Sequence, residues 1–384
     1  MTQPSLFTRR KMFTCFILAS AAFLFATFAM AAPPKATIHD IKTISFQPDL
    51  YCGWPTVTRR ANGELLVVWS GGRAGHVCPF GRVDMMRSND KGETWTFPRV
   101  VLDTPIDDRD AGVLETAKGS ILITTFTSLA YESYLERKKG TPEEAKWLAA
   151  HHRINAEERK ALLGSWVLRS TDGGQTFSAP SRVPVNSPHG PIQLADGRLL
   201  YAGKKLWTDE KKIGLAESQD DGVTWKWLAE IPTRPGDSAL KSYHELHAIE
   251  AANGTLIAHI RNHNSAHKDE TLQSESHDGG KTWSVPHSIG VWGLPSFLTR
   301  LSDDRLLMTY GYRRKPHGNQ ARISDDHGST WSGPITISDD GVSSDLGYPS
   351  TVQLADGTLL TIWYENPKDS SKAVLRQARW SLNP

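Results

Sequence analysis

Asp, Glu, Arg and Tyr residues stand at two fixed offsets from six turns of this chain, with histidines close by, and such a set can bind anions and move protons. The turns are x-G-x-L-like steps between apolar segments, centred on Gly63, Gly119, Gly197, Gly254, Asp304 and Gly357. Nine residues before the turns stand Trp54, Asp110, Pro188, Glu245, Pro295 and Tyr348, and seven after them Ser70, Phe126, Lys204, Arg261, Gly311 and Tyr364. Close in sequence to these positions are Arg73, His76, Asp108, Arg109, His189, His244, His247, Arg313, Arg314 and Glu365. Arginine forks match carboxylates. His76, His189, His244 and His247 can trade protons near neutral pH. No two of these four have H-x-x-x-H spacing and the cysteines form no C-x-x-C, so neither a metal nor another cofactor is expected. Each residue alone reads as ordinary surface polarity or a satisfied structural histidine; convergence is what argues for a site.

A repeated octet must position these residues. It reads SNDKGETW (Ser88–Trp95), STDGGQTF (Ser170–Phe177), SQDDGVTW (Ser218–Trp225), SHDGGKTW (Ser276–Trp283) and SDDHGSTW (Ser324–Trp331). Its Asp can accept backbone N–H groups and close a turn, its Gly can take positive φ, and its aromatic can anchor the turn in a core. These octets specify fold, not chemistry. Six apolar hairpins with five following octet hairpins predict an all-β, six-bladed propeller of four-stranded blades. Val374–Trp380 reads as the third strand of the sixth blade, and Thr37–Phe46 as the outer strand that closes the ring. In such a blade both turn types share one face, so the twelve offset positions fall at the mouth of a central funnel on the other.

The chain has 384 residues, 39% hydrophobic and 22% charged. Residues 1–31 read as a secretory signal: Arg9, Arg10 and Lys11, an apolar run over Met12–Phe28, and Ala29-Met30-Ala31 as cleavage site. Residues 32–384 form the propeller. Removing the signal removes those three positive side chains and takes the formal charge from +2 to −1. No basic run remains, so nucleic acid is not an expected partner, and no stable membrane span is expected after signal removal. Cys52 and Cys78 of the exported chain can pair or remain two buried thiols. In the second blade 51 residues separate Gly119 from Ser170, against 20 to 25 in the others. The excess, residues 131–164, reads as one or two helices, with Thr141-Pro142-Glu143-Glu144 as a helix start. They either decorate the propeller or wall the site.

The octet is the Asp-box, and through it essentially the whole mature chain resembles the sialidase superfamily. That family binds a substrate carboxylate with three arginines and uses a Tyr nucleophile assisted by a Glu, with an Asp acid/base. Glu245…Asn253-Gly254…Arg261-Asn262 resembles the family's Glu–turn–Arg blade. Tyr310-Gly311-Tyr312-Arg313 resembles the blade that supplies another arginine. Gly347-Tyr348-Pro349-Ser350…Asp356-Gly357…Tyr364-Glu365 resembles the nucleophile blade. The resemblance therefore implies Tyr348 as nucleophile, Glu245 as its base, and Arg261 and Arg313 on the substrate's anionic group. Two departures mark a divergent branch. The first-blade Arg-Ile-Pro is here Gly53-Trp54-Pro55, and the loop of the acid/base Asp reads His76-Val77-Cys78-Pro79-Phe80-Gly81. Asp110 or His76 is then the expected proton donor, and Arg73, Arg109, His189 and His247 are expected to line the site.

The resulting expectation is a secreted or periplasmic, monomeric, exo-acting glycoside hydrolase that takes a terminal acidic or unusual sugar from a glycan. Two other readings are a glycan-binding propeller without catalysis and a polysaccharide lyase acting on uronates.

Overall fold

The short, turn-broken apolar segments pair into six antiparallel four-stranded sheets. The structure, a computed structural model, describes Met1, Thr2 and residues 34–45 and 47–383. The signal read over residues 1–31 lies, apart from Met1 and Thr2, outside them. Blade one runs Tyr51–Arg59, Leu65–Arg73, Arg82–Ser88, Arg99–Leu102, and blade two Asp107–Glu115, Ile121–Ser128, Ser165–Ser170, Ser181–Arg182. Blade three runs Ile192–Gln193, Leu199–Lys204, Ile213–Ser218, Lys226–Glu230, and blade four Tyr243–Glu250, Leu256–Asn262, Glu270–Ser276, His287–Trp292. Blade five runs Ser296–Arg300, Leu306–Tyr312, His317–Ser324, Ile335–Gly341. Blade six has Leu346–Gln353, Leu359–Glu365 and Val374–Leu382, and its outer strand is the N-terminal Ala36–Ser45, paired antiparallel with Val374–Leu382. Joining both ends of the chain in one blade leaves no open seam in the ring.

The core is divided among the blade interfaces. Buried clusters lie between blades one and two (Leu66, Val83, Val113, Ile123) and between blades one and six (Val57, Trp69, Leu360, Ile362). Equivalent clusters fill the other four interfaces. The second strand of each blade is buried toward both neighbouring blades, which is why segments such as Leu65–Arg73, Leu199–Lys204 and Leu359–Glu365 are runs rather than strict alternations.

The octets staple the outer hairpins as their composition requires. In the fourth blade the Asp278 carboxylate accepts Thr282 N–H at 2.9 Å and the Thr282 hydroxyl at 2.6 Å, and Ser276 Oγ accepts Gly280 N–H at 3.0 Å. Trp283 Nε1 donates to Gly280 O at 3.0 Å. The inner turn of blade five needs positive φ like its counterparts, and Asp304 supplies it (φ 69°) where they use glycine.

Residues 130–161 fold into four short helical segments, more than the one or two expected. They are Ala130–Tyr134, Leu135–Lys138, Glu144–His151 and Ala156–Ala161. Asn155 restarts the chain with a capping box against Glu158. The insertion packs Tyr131 and Trp147 on Cys78, with Phe80 edge-on to Trp147. It thereby clamps the blade-one loop that carries His76. Cys52 and Cys78 are both buried free thiols in separate clusters. Among the described residues no helix is long and apolar enough to cross a membrane.

Candidate active site

The first strands of blades one, two, four and six do not begin as regular strands. Each has a bulge where it leaves the funnel mouth: between Gly53 and Thr56, Arg109 and Gly112, Tyr243 and Leu246, and Gly347 and Ser350. In three of them the offset residue is left-handed: Trp54 (φ 55°), Asp110 (φ 43°) and Tyr348 (φ 52°). A non-glycine residue held there costs on the order of 1–3 kcal/mol. The bulge re-aims its side chain from the sheet face toward the axis.

Those side chains meet in a cavity of about 570 Å³, lined by Trp54, His76, Arg109, Asp110, Phe126, His244, Glu245, Arg261, His263, Arg313, Tyr348 and Tyr364. On its floor the Tyr348 hydroxyl donates to Glu245 Oε1 at 2.6 Å. Arg261 Nη1 donates to the same Glu245 oxygen at 2.9 Å and to the Tyr348 hydroxyl at 2.8 Å. Burial alone would raise the Glu245 pKa, but Arg261, His244 and the Tyr348 hydroxyl outweigh it and hold the carboxylate well below its ordinary range. Burial and then the Glu245 charge push the Tyr348 phenol well above 10. The resting pair is a neutral phenol on a carboxylate. Glu245 Oε2 and Asp110 Oδ1 are buried without a hydrogen-bond partner in the protein, so both retain unmet polar capacity in the pocket. Asp110 is raised to about 7 by burial, opposed by Arg109 and reinforced by Glu245.

Arg313 donates through Nε to Leu346 O at 3.0 Å and lies over the Tyr348 ring, 5.7 Å from its centroid. Arg109 lies over Trp54 at 4.6 Å. These two guanidinium groups and Arg261 bring three cationic side chains to the pocket lining. Behind Arg261 stands a relay that the turn register does not reveal. Arg261 Nε donates to His263 Nε2 at 2.9 Å, and His263 Nδ1 is 2.8 Å from Asp269. At the mouth His76 pairs with Asp345, another residue without a turn offset. The insertion contributes Ala130 to the pocket wall beside Ser128, while its helices stand behind the His76 loop.

Three expected site residues are elsewhere. Arg73 is fully buried (0% exposed), bonded to Asp107 Oδ1 at 2.6 Å, Ser70 Oγ at 2.9 Å and His76 O at 3.0 Å. A buried guanidinium must be neutralised and satisfied, and Arg73 spends its donors on that, under Trp54. His189 and His247 line a second funnel of about 640 Å³ that opens on the opposite, turn-bearing face. His247 is two residues along its strand from Glu245, a step of about 6.6 Å toward the other face. Its Nδ1 accepts Leu298 N–H at 3.0 Å. His189 follows Pro188 into the axis, where Gly112 and Gly190 lie so close that a Cβ on Gly112 would meet Gly190 Cα at 2.5 Å. Burial lowers the pKa of His189 to about 3 and holds that of His247 well below its ordinary value, so both are neutral packing beneath the floor. Of the remaining offset positions, Ser70, Pro188, Lys204, Pro295 and Gly311 do not line the pocket; Lys204, for one, caps Leu240 O at 3.1 Å.

The BNR repeat-like domain family matches residues 141–362 of the chain. A sialidase of Bacteroides fragilis is 26% identical over 310 residues, which are 74% of this chain and 54% of that protein. The chain thus spans about half the length of that curated relative. Among solved structures, a protein of unknown function from Dyadobacter fermentans superposes with a TM-score of 0.75 at 24% identity, over 91% of this chain and 100% of the other. A Hadza microbial sialidase does so with a TM-score of 0.63 at 17% identity, over 86% of this chain and 65% of its own. The family match covers more than half of the sequence and agrees with the six blades and five Asp-boxes, so the chain belongs to the BNR repeat-like family and has the propeller fold of the sialidase superfamily.

Proposed function

We propose that this chain is an exo-acting glycoside hydrolase that removes a terminal acidic sugar from a glycan. The observation that carries the reading is the shared contact of Glu245 and Arg261 on the Tyr348 hydroxyl, at 2.6 and 2.8 Å. A phenol titrates near 10 and is a poor nucleophile until a base takes its proton. Glu245 is that base, and Arg261 stabilises the oxygen as negative charge develops on it. A neutral phenol also suits an anionic sugar, because a carboxylate nucleophile would repel it. Arg109, Arg261 and Arg313 bind the anionic group, and Arg109 reaches it from blade two at the side of the missing blade-one arginine. Attack by Tyr348 gives a glycosyl–tyrosine intermediate that water then resolves. Asp110 and His76 are the two groups able to serve the leaving oxygen. The charged start and apolar run of residues 1–31 support export to the periplasm or medium, and the reading takes the mature protein as a monomer.

The test is a panel of sialosides, other terminal 2-keto acid glycosides and uronate polysaccharides with product analysis. A saturated acidic monosaccharide supports the reading. An unsaturated product absorbing in the ultraviolet indicates a lyase, and binding without product a lectin-like propeller; either overturns it.

A further inference from the structure

The mouth of the pocket carries a pair of groups that the Tyr348–Glu245 floor does not use. His76 follows strand Leu65–Arg73, with 49% of its side chain exposed, and its ring meets Trp54 edge-on at 4.9 Å. Its Nδ1 is 3.1 Å from Asp345 Oδ1, a residue just before strand Leu346–Gln353 of blade six. An ionised carboxylate only accepts, so the shared proton sits on Nδ1 and Nε2 is left to the pocket. Asp345 also accepts the hydroxyls of Tyr51 (3.1 Å) and Tyr364 (3.0 Å). Burial would raise its pKa, but His76 and the two phenols lower it on balance, so the carboxylate stays ionised.

The loop that carries His76 is anchored despite its exposed tip. Arg73 bonds Gly75 O at 3.3 Å and His76 O at 3.0 Å, and Lys372 reaches Ala74 O. Cys78 and Phe80 are held by the helical insertion. The charged and titratable groups around the ring are Asp345 and Tyr364 of blade six, Tyr51 of blade one, Arg73 and Lys372 at its own loop, and Arg109 and Asp110 beyond Trp54.

Resting on the hydrolase reading above, we infer that His76 is the catalytic acid and base at the leaving-group oxygen, and that Asp345 is the residue that positions it. Position separates His76 from Asp110. An exo-acting enzyme holds the terminal sugar on the floor, and the rest of the glycan departs through the open mouth. The oxygen that needs a proton is therefore on the mouth side, where His76 stands; Asp110 is 6% exposed on the floor and faces the sugar.

In the first half-reaction the Tyr348 oxygen passes its proton to Glu245 and forms a bond to the anomeric carbon. The glycosidic C–O bond breaks, its electron pair stays on the leaving oxygen, and that oxygen takes the Nε2 proton of the His76 imidazolium. In the second, Nε2 takes a proton from water, the water oxygen bonds to the anomeric carbon, and the Tyr348 oxygen leaves with its electron pair and recovers the proton from Glu245. Asp345 stabilises the imidazolium and keeps its Nδ1 proton in place, as the carboxylate behind a catalytic imidazole does.

Paired substrates test this: the 4-nitrophenyl and methyl α-glycosides of N-acetylneuraminic acid and of other 2-keto acid sugars. Nitrophenolate leaves without a proton, and methoxide does not. H76Q, with H76N as a second variant, is expected to lose about 10²–10⁴-fold on the methyl glycoside and far less on the nitrophenyl one. D345N should repeat that pattern more weakly and move the alkaline limb of kcat/KM to lower pH, which a loss of packing alone would not do. Equal losses on both substrates in H76Q, or the leaving-group pattern appearing in D110N instead, overturn the dyad and leave the hydrolase reading intact. Cleavage of neither member of any pair by the wild-type protein overturns that reading, and the dyad with it.

Discussion

Tyr348 and Glu245 come from blades six and four and still share a hydrogen bond of 2.6 Å. Each stands nine residues before the inner turn of its own blade, and each sits in a bulge at the start of an axial strand. Repetition brings the two to one level, and the bulges turn them inward. With Tyr348 only 4% exposed, the phenol is held in the pocket by its two charged partners and by little contact with solvent.

Tyr348→Phe removes one oxygen and keeps the ring. Hydrolysis of the cognate glycoside should fall by at least ~10³-fold, while ligand affinity by calorimetry stays within a few-fold of wild type. Wild-type turnover in this variant would make Tyr348 a wall residue.

Asp110 makes stability depend on pH in a direction set by its raised pKa. Its folded value of about 7 lies above the ordinary value near 4. Between these values the folded chain keeps a proton that the unfolded chain has lost, so stability falls as pH rises through that window, by at most about 4 kcal/mol. Asp110→Asn should therefore be more stable than wild type at pH 8, with the gain shrinking toward pH 4. Urea unfolding at the two pH values measures it; an equal effect at both would show that the carboxyl is not held protonated.

Arg73 was expected beside the substrate and instead neutralises Asp107 in a dry site. Removing one partner of a buried pair leaves the other charge uncompensated, a loss of about 3–5 kcal/mol. Arg73→Ala should lower the melting temperature sharply, whereas Arg313→Ala should raise KM with little change in stability. The opposite ranking would return Arg73 to the substrate.

The repeat makes most of the floor legible in the sequence. Six turns and five octets set the blade count, and one offset found Trp54, Asp110, Glu245 and Tyr348. What the repeat does not index was missed. Asp345 and Asp269 lie in loops with no fixed distance to a turn, and His263 is visible only as the second residue after Arg261. His189 and His247 were misplaced for a different reason. Adjacency in sequence is not adjacency at the mouth, because two residues along a strand move a side chain most of the way to the next level of the funnel.

The Asp-boxes bear on acid stability. Asp90 is lowered to about 2 by the Thr94 hydroxyl and N–H, and Asp172, Asp220, Asp278 and Asp326 are lowered as well. A depressed carboxylate contributes stability that is present above its unfolded pKa near 4 and is lost as pH falls toward the folded value. Asp278→Ala should lower the melting temperature by a few degrees at pH 7, less at pH 3, and leave kcat/KM unchanged. A large loss of turnover in the folded variant would give the boxes a part in catalysis.

The relay behind Arg261 yields the last prediction. Arg261 Nε can bond His263 only while Nε2 is unprotonated, and the 2.8 Å contact with Asp269 places the ring proton on Nδ1. Burial first and the Arg261 charge second lower the His263 pKa, against the pull of Asp269. The ring therefore stays neutral into mildly acid solution, and protonating it sets two cations side by side and frees Arg261 from one of its anchors. Activity should show an acid limb set by this histidine. His263→Ala should cost about 10-fold in kcat/KM through a less ordered Arg261 and should abolish that limb. His263→Gln, whose side-chain oxygen can accept the same Nε–H, should restore much of the rate without restoring the limb. If alanine and glutamine behave alike, the ring acts by filling space, and the orientation of Arg261 is set by Glu245 and Tyr348 alone.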